Sequence, residues 1–202
     1  MKTNSDNSEE KILTAAKIVF QQKGMAGARM QEIADKAGIN KALLHYYYRN
    51  KQMLFEAVFY QAFKLIAPKL SAVLNAKLPL FEKIKQFTER YISFVLQHPY
   101  LPNFIIHELN QNPEFAKKLI QHDNFPNIDV FKSQIEAAVK KGEIRAIEPE
   151  QLFINIMALA VFPFIGAPIL KGFTKLDDSE YQIILTSRKT EVANFIINAI
   201  KQ

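Results

Sequence analysis

Along nearly the whole chain apolar residues recur three and four positions apart, as in Ile12, Ala16, Val19 and Phe20 and again in Met30, Ile33, Ala34 and Ala37. That spacing gathers them on one face of a 3.6-residue helix and on no single face of a strand. No alternating β-branched run occurs, and no hairpin dipeptide separates apolar stretches, so the spacing predicts an all-α fold. Glycine, proline and asparagine supply the punctuation. Gly24 and Gly27 end a first helix and Gly38 a second. Asn40 and Asn50 are placed to cap a third and a fourth, the fourth running from Lys51 towards Asn75, and Pro68 is expected to kink that helix or end it early. Pro79, Pro102, Pro113 and Pro149 stand where first-turn prolines belong. Further helices are predicted near 79–98, 102–110, 113–121, 126–141, 149–162 and 178–200.

Several classes of function fall away on residue type alone. The 202 residues include no cysteine, which excludes a disulfide scaffold, a thiolate metal site and a cysteine nucleophile. There is no P-loop, no Gly-x-Gly-x-x-Gly and no Gly-x-Ser-x-Gly, so no catalytic constellation is visible. His98, His107 and His122 lack metal-ligand spacing, and Asp177-Asp178 reads as N-terminal charge for the last helix. Neither a metal nor a cofactor is expected. The polar start, MKTNSDNSEEK, has no apolar signal region, which points to a cytoplasmic protein. Leu152 to Leu170 is uncharged, but Pro163, Gly166 and Pro168 leave about eleven clean helical residues. These rise about 17 Å against about 30 Å of hydrocarbon, so a buried or interface helix is expected there and not a membrane span.

Charge is unevenly spread. Residues 1–54 hold nine basic and five acidic side chains, a balance of +4, and the other 148 residues hold 17 and 15, a balance of +2. A positive lobe on a near-neutral body suits a polyanion partner. Within that lobe two short helices, Met30–Ala37 and Lys41–Tyr47, flank the turn Gly38-Ile39-Asn40, which is helix-turn-helix spacing. Leu44, Tyr47 and Tyr48 are placed to pack inward and Lys41, Ala42, His45 and Tyr46 to face outward. In such motifs the second helix enters the major groove, where Lys41 can donate to guanine and Ala42 can meet a thymine methyl. Lys51, in the first turn of the next helix, is a phosphate-contact candidate. The plainer alternative is a three-helix bundle with an ordinary solvated face.

The run from Ala28 to Leu54 resembles the DNA-binding domain of the TetR family of transcriptional regulators. Ile33-Ala34, Ala37-Gly38-Ile39-Asn40, Leu44-His45-Tyr46-Tyr47-Tyr48, and Lys51 with Leu54 fall in the family's register without a gap. The resemblance covers about 45 residues from Lys11 on, and beyond them extends only to length and helical layout. It implies that Gln31 contacts backbone or base, that Lys41 and Ala42 read bases, that His45 and Tyr46 touch phosphates or bases, and that Lys51 clamps a phosphate. Arg29 and Asn40 complete this candidate DNA-contacting set. His45 where the family has Tyr, Leu43 where it has a small or hydroxyl residue, and Tyr48 where it has Phe bear on which operator is read.

The resemblance further implies an N-terminal DNA-binding domain at 8–54 and a helical effector-binding and dimerisation domain at 55–202. Fifteen of the sixteen phenylalanines lie after residue 54. By themselves they spell an aromatic-rich core, and a family effector site would be walled by them. The candidate pocket comprises Arg90, Phe94, Phe104, His107, Glu108, Phe131 and Phe153, with Asn103 and Asn110 as further polar groups, for an apolar or amphipathic small molecule. Candidate dimer contacts are Leu152, Ile156 and Leu159 on one helix and Ile184, Val192, Phe195 and Ile196 on the last. The expected protein is therefore a homodimeric, effector-released repressor that binds a pseudo-palindrome in double-stranded DNA. The rival from another class is a helical small-molecule carrier that never touches DNA.

Overall fold

The computed structural model describes residues 4–111, 113–122 and 125–202, with the side chains of all of these except residues 4–7, 104, 107, 108, 111 and 116. Among the described residues there are eleven helices and no strand. They are α1 (Asn4–Gly27), α2 (Met30–Ala37), α3 (Lys41–Tyr47), α4 (Lys51–Asn75), α5 (Leu80–Gln97), α6 (Leu101–Gln111), α7 (Pro113–Ile120), α8 (Asp129–Lys140), α9 (Pro149–Ile165), α10 (Ala167–Thr174) and α11 (Asp178–Ile200). The chain divides into two compact units, Met1–Leu65 and Ile66–Gln202, and the division falls inside α4.

In the first unit α1, α2, α3 and the start of α4 close around Ile12, Ala16, Val19, Phe20, Ile33, Ala34, Leu44, Leu54 and Phe55, all at most 1% exposed. The rings of Phe20 and Phe55 tilt against each other at 4.5 Å. Each of the Ile, Val, Leu and Phe side chains among them, once buried, stabilises the unit by about 1.5–3 kcal/mol relative to exposure. α1 changes course at Gly24, whose φ of 64° and ψ of 179° lie outside helical space. The hydroxyl of Tyr48, a residue the family resemblance pairs with Phe, donates to the Glu9 carboxylate at 2.8 Å and ties the end of α3 back to α1.

In the second unit α5, α9 and α11 pack together, with α8 alongside. Their inward faces supply Ile84, Phe87, Ile92, Phe131, Ile135, Leu152, Ile156, Ala160, Leu185, Val192 and Ile196. Two polar side chains hold the α4–α5 connection. Buried Lys83 donates to the Leu74 carbonyl at 2.8 Å, and Gln134 donates to the Leu78 carbonyl at 2.6 Å. Burial lowers the Lys83 ammonium below the ordinary lysine range.

Three expectations are corrected. Pro68 neither ends nor interrupts α4, which runs on to Asn75. Lys64, whose carbonyl it deprives of an amide partner, is exposed like Pro68 itself, so the loss falls where solvent can act as donor. α9 likewise continues through Pro163 to Ile165, three residues past its expected end. Beyond it stands α10, a helix absent from the sequence reading, with Pro168 in its first turn. Its end lacks the usual glycine: Lys175 takes the left-handed conformation at φ 58°.

The uncharged run at 152–170 therefore folds as two helices meeting at 79°. α4 is long and apolar enough to cross a membrane by length and composition, a test that core helices also pass; 44% of its most apolar stretch is buried within the protein.

Candidate nucleic-acid interface

The turn between α2 and α3 is built from local chemistry. Gly38 takes φ 67°, ψ 34°, left-handed space that a side chain disfavours. This lets the Gly38 and Ile39 amides donate to the Asp35 and Ala34 carbonyls, each at 3.1 Å, and close α2. The Asn40 side-chain oxygen then accepts the Leu43 amide at 2.7 Å and opens α3. Asn50 does the same for α4, accepting from the Met53 amide at 2.8 Å.

Ile33 and Ala34 on α2 and Leu44 on α3 are buried, and so is Tyr48 just past α3. That leaves one outward surface. Arg29, Gln31, Asn40, Lys41, Ala42 and Tyr46 are exposed on it, Tyr46 at 81%. His45 and Tyr47 are half-buried, with His45 Nδ1 3.1 Å from the Arg49 carbonyl oxygen. The Tyr46 and Tyr47 rings meet edge-on at 5.5 Å. Gln31 donates to Asp35 on its own helix at 2.8 Å, so its amide is pre-oriented along α2.

The structure adds Lys23, which the sequence reading passed over. It lines a groove of about 450 Å³ with Gly27, Arg29, Gln31, Glu32 and Asp35, and its ammonium pairs with Glu32 at 2.8 Å. Lys23 ends the regular part of α1, and only the α1–α2 packing brings it beside Arg29. Lys51 stands apart from the other candidates: its Nζ donates to the carbonyls of Ala26 at 3.3 Å and Ala28 at 3.1 Å.

Residues 12–58, which span this whole surface, match the family of bacterial regulatory proteins designated tetR. Residues 12–58 are a DNA-binding head of the TetR type. The protein is a DNA-binding transcriptional regulator and not an enzyme. The chain is 29% identical over 147 residues to the HTH-type transcriptional regulator RutR of Escherichia coli K12, covering 73% of this chain and 69% of that protein. It is 25% identical over 184 residues to the HTH-type transcriptional repressor NicS of Pseudomonas putida, covering 88% and 85%. A transcriptional regulator of the TetR/AcrR family from Thermobifida fusca shares the fold, with a TM-score of 0.62 at 13% identity over 92% of this chain and 96% of that one. The carrier reading without DNA binding is not favoured beside these matches.

The remaining candidates lie in the second unit. Phe104, His107 and Glu108 have side chains outside the described residues. Phe131 is 2% exposed, and its ring lies 6.3 Å from that of Phe153, which also meets Phe87 at 5.9 Å. The Phe94 ring instead tilts against that of buried His98, with centroids 4.6 Å apart. The Arg90 guanidinium lies 3.4 Å from Gln86 Oε1 and 3.5 Å from the Lys69 carbonyl oxygen. A groove of about 380 Å³ between α5 and α11 is lined by Glu82, Lys85, Gln86, Glu89, Lys189, Thr190, Ala193 and Asn194, and contains none of the expected pocket residues.

The dimer candidates need correction. Leu152, Ile156, Val192 and Ile196 are at most 3% exposed, because they form the inward stripes of α9 and α11 within one protomer. Leu159 is half-buried. Of the expected set, Ile184 and Phe195 are open, at 41% and 66% exposed. Ile154, Phe162 and Ile183, outside the expected set, are exposed as well. The apolar spacing on α11 spells two faces, and sequence alone merged them.

Proposed function

We propose that the protein is an effector-released repressor that binds a pseudo-palindromic operator as a homodimer. The single observation that carries the reading is the surface built by α2, Gly38 and α3, with Lys41, Ala42 and Tyr46 exposed beside Arg29, Gln31 and Asn40. In a helix-turn-helix protein the start of the second helix faces base edges, so Lys41 and Ala42 read sequence while Lys23, Arg29 and the α2 start meet phosphates. His45 and Tyr46 border both roles.

The repressor sign is supported by NicS, a named repressor. Dimerisation is supported by Ile154, Phe162, Ile183, Ile184 and Phe195, large apolar side chains left exposed on α9 and α11. Patches of that kind mark association sites. A two-fold axis would set two recognition helices about 34 Å apart, or a multiple of it, on one face of the DNA.

The effector would be an apolar or amphipathic molecule held in the 55–202 domain near Phe94, Phe131 and Phe153. It acts only if it binds the DNA-competent and DNA-free arrangements unequally. Action on chromosomal DNA places the protein in the cytoplasm.

The test is selection of duplexes from sheared genomic DNA, followed by anisotropy titration across a salt series and sedimentation of the complex. Enrichment of a two-fold symmetric sequence bound by two chains supports the reading. Weak binding without sequence preference, or a bound monomer, overturns it.

A further inference from the structure

We infer that the α11 helices of two chains pack antiparallel about a two-fold axis lying between residues 189 and 190. Arg188 of one chain then pairs with Glu191 of the partner subunit, and Ile184 packs on Phe195 of the partner subunit. The inference rests on the homodimer reading above and supplies the register and charge pairing of that interface. Ile184, Arg188, Glu191 and Phe195 follow one another at intervals of four, three and four, which gathers them on one face of a helix. That face is the open one. Ile184 is 41% and Phe195 66% exposed, Glu191 is exposed and Arg188 half-buried, while Leu185, Val192 and Ile196 turn into the core.

The order along this face selects a second copy of the same chain. Read forward it is apolar, positive, negative, apolar. An antiparallel copy presents the reverse, so apolar meets apolar and each charge meets its opposite. A two-fold contact demands such self-complementarity, because residue i facing j obliges j to face i. Parallel packing would set like charges against each other, at a cost. Neither charge is satisfied within the chain. Among the described residues Arg188 and Glu191 make no ion pair, and Arg188 Nε is buried without a partner. A guanidinium partly withdrawn from water favours a carboxylate that completes its donors. The bond from Arg188 to the Leu159 carbonyl sets the middle of α9 beside the middle of α11, so exposed Ile154 and Phe162 flank the charged centre.

The experiment uses thiols as position markers, since the chain has no cysteine of its own. Ile184→Cys and Phe195→Cys are made separately in the full chain and shown folded by circular dichroism. Each is oxidised with copper phenanthroline, alone and after subunit mixing. Like positions would lie about 16 Å apart along the two helices, beyond the roughly 7 Å that a disulfide spans between Cα atoms, whereas 184 and 195 would be opposite. The mixture is therefore expected to give at least about fivefold more linked dimer than either variant alone. Glu191→Lys, which sets like charges opposite, should raise the dimer dissociation constant at least about tenfold, and it carries the test if a cysteine variant does not fold. Linkage of either variant to itself as readily as in the mixture, no linkage in the mixture, or unchanged dimerisation of Glu191→Lys would overturn the pairing while leaving a homodimer. A wild-type chain that sediments as a monomer would instead sink the homodimer reading, and the pairing with it.

Discussion

Arg188 donates from Nη2 to the carbonyl oxygen of Leu159 at 2.6 Å, and Leu159 is the residue four before Pro163. In an unbroken helix that carbonyl would accept the amide of residue 163, and proline has none to give. α11 therefore supplies the donor that the α9 sequence lacks. A second side chain of α11 serves the end of the same helix, since the Tyr181 hydroxyl donates to the Pro163 carbonyl at 2.8 Å. This is how a proline that ought to stop a helix sits inside one.

Arg188→Met is expected to cost about 1–3 kcal/mol, the penalty of leaving a desolvated carbonyl without its donor. In a Pro163→Ala background the helix regains its own amide, so the same substitution should cost less than about 1 kcal/mol. Urea unfolding of the four proteins in this cycle measures the difference. Equal costs in both backgrounds would contradict the assigned role.

Lys41→Ala is expected to cost about 1–3 kcal/mol on the best duplex and to relax preference at one base pair of each half-site. Lys23→Ala should behave differently, weakening all duplexes alike and lowering the salt slope by about 0.9. Repeating duplex selection with each variant, then titrating across salt, separates base reading from phosphate contact.

Phe195→Glu should raise the dimer dissociation constant at least about tenfold while leaving the protomer folded, because Phe195 is 66% exposed. Val192→Glu, three residues earlier and 2% exposed, would bury a charge in the core and should abolish folding. Sedimentation velocity and circular dichroism distinguish the two outcomes. A dimeric Phe195→Glu protein would place the interface elsewhere.

Gly38→Ala is expected to destabilise by about 1–2 kcal/mol, the ordinary cost of a left-handed alanine. An added Cβ would meet nothing within 4 Å, so the cost is conformational and not steric. Gly38→Asn should lose less, since asparagine visits this conformation more readily. Thermal melts of both variants check the order.

Alkaline pH should weaken the fold through its buried phenols. Burial pushes Tyr91 and Tyr100 from 10.0 up to about 12. Between those values the unfolded chain releases these protons and the folded chain keeps them, so stability is full below about pH 10 and falls as pH rises towards 12. Urea midpoints across that window, with phenolate absorbance read in parallel, test this. Tyr91→Phe should flatten the decline.

The parts legible in advance share one property: their determinants lie within a few residues of one another. Gly38 and Asn40 fix the ends of α2 and α3 through bonds that span three to five residues, and both helices begin and end where the spacing puts them. The 3.6-residue periodicity marked which side of α2 and α3 would be buried, because a short amphipathic helix has only one apolar stripe. α10 was missed despite the proline at its start, since its end depends on a lysine in left-handed conformation and no glycine announces it.

What the sequence alone determined, then, is the helical class, the helix-turn-helix head with its resemblance at residues 12–58, and which of its side chains face outward. Each follows from local backbone chemistry or from side-chain spacing within one turn. Tertiary structure decided the rest. Whether Pro163 breaks α9 depends on Arg188, 25 residues on, and where the Lys51 ammonium goes depends on carbonyls 23 and 25 residues back. Which stripe of α11 is core and which is open depends on α5 and α9 packing against one side of it. A carbonyl accepts any donor that reaches it, and an apolar stripe packs against any apolar neighbour, so such pairings are settled only when the distant partners meet.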